Sequence, residues 1–194
     1  MSPDSLPNVL AIAADAAARL ESTAIRYVIG SSLASSLHGE PRATMDVDMV
    51  TDLSIDSIVG LCAALRPDYY VDDEAAREAV RARGSFNAVH MQSGVKVDFF
   101  VAGTDPFEVE RLRTRIAVSL GDDSMSSLWF DTAEHTVLRK LEWYRRGGEV
   151  SDRQWRDVKA IVALQGDRLD RAELARWADV LGVNDLLARC LPNG

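Results

Sequence analysis

Asp46 and Asp48 carry a spacing that a strand can put to chemical use. MDVDMVT (45–51) alternates apolar and acidic side chains, and in a strand residues i and i+2 project to the same face. Both carboxylates then leave one side, while Met45, Val47 and Met49 pack behind. Two acids so placed repel each other unless a cation or hydrogen bonds neutralise them. Mg²⁺ suits the arrangement, because it takes oxygen ligands, usually one or two carboxylates plus substrate phosphates. A D-x-D alone is more often the solvated face of an edge strand.

A third acid and a hydroxyl-rich turn shift that balance. In VKVDFFV (95–101), Val95, Val97 and Phe99 alternate with Lys96, Asp98 and Phe100, which sets Asp98 on a polar strand face. Upstream, IRYVIG (25–30) is a short β-rich run that ends at Gly30 and opens, through Ser31 and Ser32, into a helix. Free backbone N–H groups and hydroxyls at a helix N-terminus suit a phosphate, although a G-S-S triplet also serves as an ordinary cap. A phosphate cradle, a D-x-D strand and a third strand aspartate are together the parts of a two-metal phosphoryl-transfer site.

Arg42 and Thr44 stand just before the D-x-D. Arg42 can contact phosphate or pair with Glu40 or Asp48. Thr44, two residues before Asp46, shares its face if the strand begins that early, and can then orient an aspartate. Lys140 is one of three lysines among 22 basic residues, and by itself reads as a solvated helix lysine. Arg153 and Asp157 are four apart and can pair along one helix, with Ser151 as its N-cap. His38 and His90 have no partner at metal-ligand spacing. Trp129, Trp143, Trp155 and Trp177 read as core rather than as a base-stacking platform.

These residues need elements to position them. Apolar spacing predicts helices over 8–21, 31–37 (stopped by Pro41), 54–65 and 72–83, strands at 25–30 and 45–51, and a hairpin of FNAVHMQ and VKVDFFV about Ser93-Gly94. Beyond 131 the pattern is helical throughout: 132–146, 151–165, 170–181 and 184–190, punctuated by glycine. Strands mixed with helices and then helices alone predict an α+β domain over 1–128 and a helical region over 129–194.

Bulk properties narrow the class. The chain has 194 residues, 47% hydrophobic and 27% charged, with net charge −8, as expected of a soluble globular protein. No apolar run approaches the roughly 20 residues of a membrane span. MSPDSLPNVL has an acid and no basic lead ahead of its apolar stretch, unlike a signal peptide. Cys62 and Cys190 show no metal-ligand spacing, which fits inert thiols in a reducing cytoplasm. Residues 1–133 hold 11 basic and 20 acidic side chains; residues 134–194 hold 11 and 10. Contact with nucleic acid must therefore be local, and 139–159, with seven basic against four acidic residues, is where it would lie.

The blocks around these residues resemble a known group. GSSLASSLHGEPRATMDVDMV, with VKVDFF later, looks like the nucleotidyltransferase superfamily of DNA polymerase β and the tRNA-tailing enzymes. The fuller set resembles a bacterial nucleotidyltransferase-like family related to abortive-infection (AbiEii-type) toxins: G-S-S-L-A-S-S, H-G-x-P-R-x-T-x-D-x-D, S-F-N-x-x-H, K-V-D, K-L-E-W-Y and R-Q-W-R-D. The resemblance spans about residues 25–190. It implies a nucleotidyltransferase-type mixed sheet with flanking helices. Asp46 and Asp48 become ligands of both metals, Mg²⁺ or Mn²⁺, and Asp98 the third ligand and general base. Gly30, Ser31 and Ser32 would hold phosphates, Lys140 would help bind the triphosphate, and Arg153 and Asp157 would border the site. His135 departs from the acid that relatives carry there. The implied reaction moves a nucleoside monophosphate from an NTP to a hydroxyl: an RNA 3′ end such as tRNA, a protein, or a small molecule. The basic stretch and the toxin resemblance favour tRNA, with an antitoxin protein as a possible partner. The alternative is a catalytically silent nucleotide-binding or toxin–antitoxin-associated protein of the same fold.

Overall fold

The computed structural model describes residues 9–119 and 127–191, so the expected helix start at residue 8 lies outside the described residues. The chain is α+β and divides into two compact units: Met1–Ile29 with Ala43–Phe130, and Gly30–Arg42 with Asp131–Gly194. Among the described residues, no helix is long and apolar enough to cross a membrane.

Among the described residues, the first unit is built on a seven-stranded mixed sheet. In chain order its elements are α1 (Val9–Ser22), β1 (Tyr27–Ile29), β2 (Asp46–Thr51), α3 (Ile58–Leu65), β3 (Tyr69–Val71), α4 (Asp73–Ala82), β4 (Ser85–His90), β5 (Lys96–Val101), α5 (Pro106–Thr114), β6 (Ile116–Ser119) and β7 (Ser127–Phe130). Strand order is β3-β4-β5-β2-β1-β7-β6. The acid-bearing strands β2 and β5 are parallel neighbours near the middle, and β1 runs antiparallel to β2. Their alternation works as the sequence implies. Val47, Met49, Val97 and Phe99 are fully buried, while the intervening positions remain at least partly open. α1 buries Ala13, Ala16, Ala17 and Leu20, the i, i+3, i+4, i+7 stripe of a core-facing helix.

Several details depart from the local pattern. Met45 lies outside β2 and is 54% exposed, so it does not pack behind the acids. The helix expected from Ser54 begins at Ile58, because the Ser54 and Ser57 hydroxyls close a turn ahead of it. β3, α5, β6 and β7 fall where the pattern gave no element. α5 did carry a start signal: Asp105 accepts from the Glu108 N–H at 3.1 Å with Pro106 in the first turn.

The second unit is helical. It comprises α2 (Ser31–His38), α6 (Ala133–Arg146), α7 (Asp152–Gln165), a 3₁₀ turn at Gly166–Arg168, α8 (Arg171–Leu181) and α9 (Asn184–Cys190). Side chains of Thr132, Ser151 and Asp170 cap α6, α7 and α8. α2 lies against α6 and α7. Gly39 makes that approach possible, since a Cβ there would stand 3.0 Å from Ile161 Cγ1 and 3.1 Å from its backbone nitrogen. His38 is buried and bonds the Asp131 carbonyl oxygen at 2.7 Å, a structural role.

Candidate active site

The first unit carries an acidic face. Asp48 and Asp98 are direct register partners across the parallel β2–β5 pair, and Asp46 partners Lys96. Register partners on neighbouring strands share a face, so all three carboxylates leave the same side of the sheet. Asn87 of β4 pairs with Asp98 and adds an amide to that row. Farther along the same face Val50 packs against Val28, Ala102 and Leu112, so the face is polar at one end and covered at the other. The acids are reachable from solvent: the side chains of Asp46 and Asp98 are 56% and 17% exposed.

Lys96 lies among these acids. Its Nζ stands 2.8 Å from Asp98 Oδ2 and 4.0 Å from Asp46 Oδ1. The hydrogen bond to Asp98, helped by the charges of Asp46 and Asp48, holds the ammonium above the usual lysine value. Among the described residues, no three His, Cys, Asp or Glu side chains form a ready-made metal cage. The donor set nevertheless suits Mg²⁺ or Mn²⁺: it is all oxygen, drawn from two adjacent strands, and open to a substrate. Mg²⁺ characteristically completes its shell with water and phosphate rather than with protein alone.

The second unit carries a cluster of the opposite sign. Ser32 is buried, and its Oγ accepts from Arg42 Nη2 at 2.6 Å and from Arg153 Nη2 at 3.0 Å. Asp157 accepts from Lys140 Nζ at 2.8 Å and from Arg42 Nη2 at 3.2 Å. Lys140 is not a solvated helix lysine, since its side chain is only 5% exposed. Arg42 pairs with Asp157 rather than with Glu40 or Asp48, and Asp157 reaches across to α6 rather than along its own helix. Burial pushes the Lys140 ammonium down despite Asp157, with Arg42 and Arg153 adding repulsion. At Asp157 burial works upward, but hydrogen bonds and charge from Lys140 and Arg42 outweigh it and hold the carboxyl below its ordinary value. Two cations thus share one carboxylate, and a third, Arg153, joins Arg42 on Ser32. Arg42 Nε, buried and without a hydrogen-bond partner among the described residues, is a donor still to be satisfied.

Gly30 is extended at the head of α2, and its N-cap position has no side-chain hydrogen bond. The left-handed backbone falls on Ser31, at φ 50°, where a residue with a Cβ costs about 1–3 kcal/mol. Thr44 precedes the strand, and its hydroxyl bonds the backbone of Asp46 at 3.3–3.4 Å rather than a carboxylate. Lys96 and Asn87 belong to the acidic face, and sequence reasoning gave neither a role. The period-two rule that placed Asp98 would have placed Lys96 beside it.

Asp157 supplies a stability test. Its folded value lies below the unfolded value of about 3.9, so its pairing stabilises the fold at neutral pH and is lost as pH falls through that range. Asp157→Asn strands the buried Lys140 and removes a partner of the half-buried Arg42, and should cost about 3 kcal/mol at pH 7. In thermal melts the gap from the parent should narrow markedly by pH 3. An equal gap at both values would show that the loss is one of packing.

No family model and no curated protein matches this chain. Solved structures match it in fold. The antibiotic-resistance factor ANT(2″)-Ia does so with a TM-score of 0.58 at 10% identity, over 95% of this chain and 99% of that one. The same factor in complex with adenylyl-2″-tobramycin gives 0.55 at 10% identity, over 90% and 97%. An antigenic nucleotidyltransferase-like protein from Paracoccidioides brasiliensis gives 0.54 at 17% identity, over 100% and 96%. The chain is therefore similar in fold to nucleotidyltransferases.

Proposed function

We propose that this chain transfers a nucleoside monophosphate from an NTP to a hydroxyl acceptor. The observation that carries the reading is the in-register pairing of Asp48 with Asp98, with Asp46 on the same open face. Asp46, Asp48 and Asp98 would hold Mg²⁺ or Mn²⁺, which when bound stabilises negative charge on the phosphates. Asp98 takes the proton of the acceptor hydroxyl. The hydroxyl oxygen forms a bond to the α-phosphorus, the bond from that phosphorus to the α–β bridging oxygen breaks, and pyrophosphate leaves with the electron pair.

The cation-rich cluster is assigned to the triphosphate. Ser31, Ser32 and the backbone N–H groups after Gly30 suit phosphate oxygens, and Arg42 and Lys140 supply positive charge in a poorly solvated setting. Arg153 and Asp157 position Ser32, Arg42 and Lys140. Thr44 steadies the backbone at the entry to β2.

For the acceptor we favour a small polyhydroxylated molecule. Four of the seven basic residues in 139–159 are in internal pairs: Arg139 and Arg146 with Glu142, Arg145 with Glu149 and Asp185, and Lys140 with Asp157. Those pairs lower the charge free for an RNA backbone, whose binding depends on it. The fold match to an antibiotic-resistance factor holding an adenylylated small molecule points the same way. The test is incubation with α-phosphate-labelled NTPs and Mg²⁺, together with an aminoglycoside and small-metabolite panel, total RNA, or protein lysate. Label is expected in the small-molecule fraction. Label confined to tRNA would replace the acceptor. NTP binding without label in any fraction would leave a nucleotide-binding module.

A further inference from the structure

We propose that Lys96 is a built-in counter-ion of the acidic face, competing with the divalent cation for Asp98 and so setting how tightly that cation is held. The inference rests on reading Asp46, Asp48 and Asp98 as the metal-holding set, and it concerns a residue to which that reading gives no part.

Three placements support it. Lys96 precedes Asp98 by two residues on β5, so the ammonium emerges on the carboxylate side of the sheet. It is the register partner of Asp46 on β2, so it sits opposite the first acid as well. Its Nζ is within hydrogen-bond distance of Asp98 Oδ2, at 2.8 Å, and 4.0 Å from Asp46 Oδ1. One ammonium is thereby set between acids on two strands, the same carboxylates that would hold a divalent cation.

Lys96 offsets part of the carboxylate charge of Asp46 and Asp98, charge that a divalent cation would otherwise meet in full. Without the metal, Lys96 offsets repulsion among acids that register places side by side. A divalent cation held by these acids would meet the positive charge of Lys96 and a carboxylate already engaged by its hydrogen bond, and its affinity would be lower on both counts. An ordinary surface ion pair is worth little. This one differs in that its acceptor is one of the carboxylates that would hold the cation. The flexible four-carbon stem of lysine lets the ammonium swing aside, so the competition lowers metal affinity without blocking the face.

The experiment reads Mn²⁺ affinity, by free-ion paramagnetic resonance or calorimetry, for the parent, Lys96→Met and Lys96→Gln, without nucleotide. Both variants are expected to bind Mn²⁺ about 3- to 10-fold more tightly, the scale of a charge-assisted hydrogen bond discounted for exposure. Lys96→Arg, which keeps the charge, should stay near the parent. Melting without metal should show Lys96→Met below the parent, with the deficit closing in millimolar Mn²⁺. Unchanged or weaker Mn²⁺ binding in both neutral variants would overturn the proposal and leave the acidic face as a metal site. If neither the parent nor the variants bind, or if Asp48→Asn binds as the parent does, the metal-site reading falls and the proposal with it.

Discussion

Asp48→Asn is expected to abolish nucleotidyl transfer, lowering the single-turnover rate by on the order of 10³-fold or more, a change of about 4 kcal/mol in the barrier. Asp48 is the acid that pairs in register with Asp98 and shares its face with Asp46, so it is central to any cation held there. Asparagine keeps the shape and one oxygen but loses the charge that a hard cation requires. NTP affinity measured with Mg²⁺ should fall as well, because the phosphates lose the ion that joins them to the protein. Stability should not fall. Asp48 is only partly buried on an acid-rich face, and removing one of three like charges relieves repulsion. A melting temperature equal to or above the parent's, together with lost transfer, identifies a functional residue. Transfer at the parental rate would remove Asp48 from the site.

Asp98→Asn separates chemistry from binding. Asp98 is assigned the acceptor proton, whereas phosphate charge is assigned to the cation that Asp46 and Asp48 would also hold. Its loss should therefore reduce transfer by on the order of 10²-fold or more, the scale of general-base assistance, while calorimetric NTP affinity falls less than it does in Asp48→Asn. Lys140→Ala should behave in the opposite sense, weakening triphosphate binding more than the chemical step, since it offers charge rather than proton transfer. If Asp98→Asn transfers as the parent does, the base is another group. If it loses NTP affinity as completely as Asp48→Asn, its role is to hold the cation rather than to move the proton.

Much of this arrangement was legible in local pattern, because the relevant physics is local. Period-two alternation set Asp46, Asp48 and Asp98 on polar strand faces, and the same rule buried Val47, Met49, Val97 and Phe99. Capping chemistry marked α7 at Ser151, and glycine ended α6, α7 and α8. The elements that escaped were short or weakly patterned. β3, β6 and β7 run three to four residues, too few for a period to show. α5 announced itself only through the Asp105-Pro106 cap.

Other features are long-range and have no local signature. Local alternation alone decides which side chains share a strand face, because the pleat alternates whatever the strand's neighbours are. It did not determine that β2 and β5, some fifty residues apart, lie parallel with Asp48 opposite Asp98, because register is fixed by pairing across the whole sheet. Nor could local pattern bring Lys96 within reach of Asp46, or choose Asp157 as the partner of Arg42. The stretch from Gly30 to Arg42 is contiguous with the strands on either side of it, yet it packs with the C-terminal helices. There the small surface of Gly39 against Ile161 lets α2 approach α7 closely. Ser32, Arg42, Lys140, Arg153 and Asp157 become one charged cluster only through that packing, because helix-on-helix contact, unlike helix or strand period, depends on residues more than a hundred positions apart.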